Sequence, residues 1–131
     1  MKDRYNYTCT YCGQPGDNRD HTTPAKFAQA SKNFDDCEVV ISCAECNHLL
    51  GDKILIGVKE RAIYLADRLR TRHKSTLNTP HWTTEELSEL GPNMKAYVEA
   101  GIRDKELLLI RLEHVDYVGK HTIALKGVKE A

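Results

Sequence analysis

No run of about 20 apolar residues occurs in this chain, so no segment looks built to cross a membrane. The opening residues, MKDRYNYT, are charged and polar, unlike the apolar stretch of a secretory signal. Net charge is missing as well. Nineteen Lys and Arg residues offset nineteen Asp and Glu, so whole-chain charge points to no polyanion and leaves only local patches to do so. We find no low-complexity linker and no internal repeat. Together these absences predict a cytoplasmic protein with no membrane role. Its 131 residues should form a single domain that buries roughly two-thirds of the unfolded surface. Composition agrees: 40% hydrophobic and 29% charged is globular rather than disordered.

What is present is cysteine in a pattern. Four of the five cysteines lie in two C-x-x-C pairs, Cys9–Cys12 and Cys43–Cys46, and in a reducing compartment that favours a metal over a disulfide framework. A two-residue gap lets both sulfurs of a pair face one point. Two such knuckles complete a tetrahedral four-thiolate site with bonds of about 2.3 Å. Zinc suits it best, as a structural ion with no open position; iron has the same ligand preference. Such binding supplies on the order of 10 kcal/mol to a small fold. The competing readings are a redox C-x-x-C pair or chance spacing. Cys37 has no partner at knuckle spacing and reads as a small buried residue.

Two parts emerge along the chain, a core over 5–53 and a mainly helical extension over 54–131. In the first, NYT before Cys9 and RDHTT around His21 read as short extended pieces, and PAKFAQA (24–30) as a brief helix started by Pro24. SKNFDD reads as loop. EVVIS (38–42) is the best strand, and CAECNHLL a helix closed by Gly51. In the second, residues 58–74 have helical spacing with Ala62, Ile63, Ala66 and Leu69 on one face and Arg61, Arg68, Arg72 and Lys74 elsewhere. Thr83 and Glu86 form a capping box. A further helix from Pro92 is expected to pause near Gly101 and resume through KELLLIRL, which supplies core or a homodimer surface. HTIAL, near the end, reads as an edge strand.

Asp20 and His21 lie between the knuckles, and Asn47 follows the last cysteine. A cage joining the knuckles brings the three toward one another. Asp20 and the Asn47 carbonyl can each offer a hard oxygen to a divalent ion. His21 can take a proton from water. One metal on a phosphate oxygen and one imidazole base suffice to cleave a phosphodiester.

The ordered signals C-x-x-C, DH-x-x-P and VVISCAECN resemble the HNH endonuclease family in its four-cysteine form, known among small phage and bacterial nucleases. The resemblance covers roughly residues 7 to 53. It implies an α+β fold: a small ββα-metal (His-Me finger) core organised by a four-cysteine zinc site, with a helical C-terminal extension. It implies His21 as general base, Asp20 and Asn47 as ligands of a catalytic Mg²⁺ or Mn²⁺, and a zinc cage of Cys9, Cys12, Cys43 and Cys46. The implied activity is metal-dependent hydrolysis of DNA leaving 5′-phosphate ends.

The sequence departs from the family pattern twice. Glu38 stands where the middle Asn is usual, with Asp35 and Asp36 nearby. Leu50 stands where many relatives have Lys, with Lys53 as a substitute phosphate contact and His48 as an additional ligand or a surface residue. Arg68, Arg70, Arg72 and Lys74 either form a solvated helix face or track a DNA backbone. His73, His81, His114 and His121 read as surface or partly buried. The alternative to a nuclease is a catalytically weakened, zinc-organised nucleic-acid-binding or interaction module. A thiol redox protein is a third class.

Overall fold

The computed structural model describes the backbone of residues 7–22 and 39–130, and side chains through His121. The helix expected over 24–30, the loop after it, and Asp35, Asp36, Cys37 and Glu38 lie outside the described residues. The chain is α+β, with a small two-stranded sheet followed by helices.

Strands β1 (Asn18–His21) and β2 (Val39–Ser42) pair antiparallel, with Asn18 opposite Ser42 and His21 opposite Val39. Successive side chains in a strand face opposite ways, so Asp20 turns inward and His21 outward. Before β1, residues 8–15 make a tight turn closed by a bridge between Thr8 and Pro15 and by Cys9 N–H donating to the Gln14 carbonyl at 2.7 Å. Thr10 N–H donates to the Ile41 carbonyl at 2.8 Å, anchoring that turn to β2.

Ser42 leads directly into Cys43, which caps helix α1 (Ala44–Leu50) by accepting from the Cys46 N–H. Gly51, with φ +51°, ends the helix in the left-handed conformation that favours glycine. Helix α2 (Val58–Arg72) buries Val58, Arg61, Ala62, Leu65 and Leu69 on one face. Two details differ from the sequence reading. Ile63 is exposed and Leu65 takes its place in the core; Arg61, expected on the polar side, is buried. Arg61 is drawn inward by a carboxylate that helical spacing does not reveal.

After the short helices α3 (Lys74–Leu77) and α4 (Thr84–Ser88) comes α5, which runs unbroken over Pro92–Glu130. At 1.5 Å per residue its 39 residues span about 58 Å. Gly101 causes no pause, and HTIAL is helical rather than an edge strand, because no proline follows Pro92 to interrupt the backbone ladder. The capping box of Thr83 and Glu86 on α4 is present with both reciprocal bonds. In KELLLIRL, Leu108 and Leu112 pack inward, while Leu107, Leu109 and Ile110 are exposed.

One core results. Tyr11, Leu50, Leu65, Leu69 and Val115 are fully buried with the four paired cysteines. The cysteine cluster therefore sits inside the packing shared by the turn, α1, α2 and α5. Among the described residues, no helix is long and apolar enough to cross a membrane.

Candidate metal centre

The sulfurs of Cys9, Cys12, Cys43 and Cys46 all lie within 4.8 Å of one another, and each residue is at most 1% exposed. None is in a disulfide. The Cys12 and Cys43 sulfurs are 3.7 Å apart, close to the edge of about 3.8 Å that a tetrahedron with 2.3 Å zinc–sulfur bonds requires. Each knuckle also turns a backbone N–H onto its own first sulfur: Cys12 N to Cys9 Sγ at 3.5 Å and Cys46 N to Cys43 Sγ at 3.4 Å. Four buried sulfurs in this arrangement could hold a metal ion such as zinc.

The four thiols perturb one another strongly. The hydrogen bond from Cys12 pulls the Cys9 thiol down to about 6, and the bonds from Cys12 and Cys46 pull Cys43 lower still. Those same bonds, with Cys43 foremost for Cys12 and Cys12 foremost for Cys46, push these two thiols up. Four thiolates within 4.8 Å of one another would repel strongly, and a dication among them would relieve that repulsion.

Glycine makes the close approach feasible. A Cβ on Gly16 would meet the Ser42 carbonyl oxygen and the Cys43 nitrogen at 2.7 Å, so only glycine lets the first turn lie against the second knuckle.

Asp20 is 6% exposed and carries a network of its own. Arg61 grips the carboxylate with Nε to Oδ2 at 3.2 Å and Nη2 to Oδ1 at 2.7 Å. The Tyr11 hydroxyl donates to Oδ2 at 2.5 Å and accepts from Arg61 Nε at 3.1 Å. Arg61 Nη1 reaches the Leu55 carbonyl at 2.8 Å. Burial pushes the Tyr11 hydroxyl well above the usual tyrosine range, and the hydrogen bond and charge of Asp20 push it further.

His21 is exposed at the end of β1, and Asn47 is half-buried on α1 one residue past the cage. Its backbone is held by Asn47 N–H to the Cys43 carbonyl at 2.9 Å and by Gly51 N–H to its own carbonyl at 3.2 Å. His48 and Lys53 are exposed. Of the basic series, Arg70 forms a two-pronged pair with Asp116 at 2.7 and 3.1 Å, and Arg72 Nε lies 2.8 Å from Glu45. A phosphate contact by either would compete with these pairs. Arg68 is half-buried and Lys74 exposed.

Sequence reasoning missed the charged residues around the centre: Arg61, Glu45 and Arg111. Glu45 forms ion pairs with Arg72 Nε and Arg111 Nη2, each at 2.8 Å, and a hydrogen bond with His73 Nε2 at 2.7 Å. Burial raises its carboxyl, but the bonds from Arg111 and His73 outweigh that and hold it below the usual carboxylate range. His114, read as surface or partly buried, is exposed and places Nδ1 3.0 Å from the Tyr11 carbonyl oxygen. Only the Glu next to Cys46 offered a local signal. The others come from residues far away in the chain.

Comparison of the chain with family models, with curated proteins and with solved structures finds no match.

Proposed function

We propose that this protein is a DNA endonuclease of the HNH type, built on a ββα-metal core of β1, β2 and α1. One observation carries the reading. The first strand presents His21 outward at its end, the second runs into Cys43, and the helix that follows carries Asn47, with the cysteine cluster joining the pieces. The cluster would hold zinc as a structural ion that fixes the hairpin against α1. His21, exposed to solvent, would take the proton from an attacking water, and Asn47 and Asp20 are the residues for a divalent ion.

Asp20 fits that ion poorly as arranged. Both its oxygens are occupied by Arg61 or Tyr11, and a dication beside the guanidinium meets like charge. The same pair favours a second reading, a zinc-organised nucleic-acid-binding module with little or no cleavage, in which Asp20 serves packing.

Cleavage of supercoiled plasmid by the purified chain in Mg²⁺, Mn²⁺ or EDTA, with H21A alongside, separates the two. Nicking or linearisation that needs the added ion and disappears in H21A supports the nuclease. DNA binding without cleavage in any ion, with zinc retained, supports the module. Cleavage undiminished in H21A removes His21 as the base.

A further inference from the structure

Arg111 stands ninety-nine residues from Cys12, yet its Nε lies 3.3 Å from the Cys12 sulfur. Its Nη2 forms an ion pair with Glu45 Oε1 at 2.8 Å, so the guanidinium lies between a carboxylate on α1 and a sulfur of the first knuckle. One turn further along α5, His114 meets the same knuckle at the Tyr11 carbonyl oxygen, and its ring would lie 3.0 Å from a Cβ on Gly13. The Arg111 side chain is only 14% exposed.

Covering a buried cysteine requires only an apolar side chain. Placing a guanidinium there costs desolvation, which makes sense only where negative charge awaits it. Four thiolates around one dication retain a surplus of negative charge, and a charge-assisted N–H···S bond spreads it. Such a bond also withdraws electron density from the sulfur, making it a poorer nucleophile and slower to leave its metal.

We propose that Arg111 belongs to the metal centre: it holds the Cys12 thiolate from outside the cage, slows loss of the metal and shields that sulfur from electrophiles. The final helix is then a working part of the centre. This proposal stands on the cysteine cluster and does not depend on nuclease activity.

The test uses the full zinc-loaded chain and reads two things. One is the rate of zinc transfer to a chromophoric chelator. The other is the order in which the cysteines react with limiting N-ethylmaleimide, mapped by peptide mass. R111Q removes the charge, and R111M removes it while keeping the aliphatic stem packed, so R111M carries the test if R111Q does not fold. R70Q is the control. It breaks the exposed Arg70–Asp116 pair between α2 and α5 without touching the cage.

We expect release about 10- to 100-fold faster in R111Q and R111M, with Cys12 becoming the first of the four cage cysteines modified, the wild-type rate in R70Q, and recovery of most retention in R111K. Wild-type release in folded R111Q or R111M would overturn the proposal, as would an unchanged order of modification. Equal acceleration in R70Q would overturn it too, because helix docking alone would then explain the effect. A chain that takes up no zinc would also end it.

Discussion

Asp20 and Arg61 form a buried two-pronged ion pair in which neither side chain is more than 7% exposed, joining the first strand to the second helix. Removing one partner of such a pair leaves an uncompensated charge in the interior. R61A should therefore lose about 3–5 kcal/mol of stability, measured by urea denaturation of the zinc-loaded protein. A loss under about 1 kcal/mol, the range of solvent-exposed pairs, would mean that the pair opens readily in solution. Asp20 would then be accessible to a divalent ion.

Tyr11 predicts the alkaline limb. Burial and Asp20 keep its hydroxyl protonated in the folded chain well beyond the value of about 10 that tyrosine has when unfolded. Above that pH the unfolded chain gives up a proton that the folded chain keeps. The unfolded state then binds fewer protons, and stability falls as pH rises, by up to about 1.4 kcal/mol per unit from this one group. Thermal midpoints between pH 8.5 and 11 should decline, and Y11F should flatten that decline. An identical slope in Y11F would exclude Tyr11 as the source.

Cys43 is both a candidate metal ligand and the cap of α1. C43S should bring bound zinc from about one equivalent to substantially less, by elemental analysis, and lower the thermal midpoint sharply. Serine can still cap the helix, so the loss would report the cage rather than the cap. A C43S protein that stays zinc-free and as stable as the parent would argue against a structural metal.

Local signals in the sequence led to the right local structures. The cysteine spacing, the glycine after Leu50 and the Thr83–Glu86 box each act within a few residues of themselves, and each is found where the spacing places it. Long-range charge was not legible. Arg61 looked like one more polar helix residue because Asp20 lies forty-one positions away. Arg70 and Arg72 read as a solvated face or a DNA contact because their partners Asp116 and Glu45 approach only through packing of α5 and α1 on α2. HTIAL was misread for a different reason. Its β-branched residues favour strand weakly, and that preference yields to a helix already propagating from Pro92.

The contact between Cys12 and Arg111 also sets an order of events during synthesis. A chain growing from its N-terminus releases all four cage cysteines long before position 111 is made. A metal taken up at that stage would enter a cage still open on that side, before the last helix packs over it. Reloading an emptied cage in the finished chain would instead have to get past the Arg111 contact on α5.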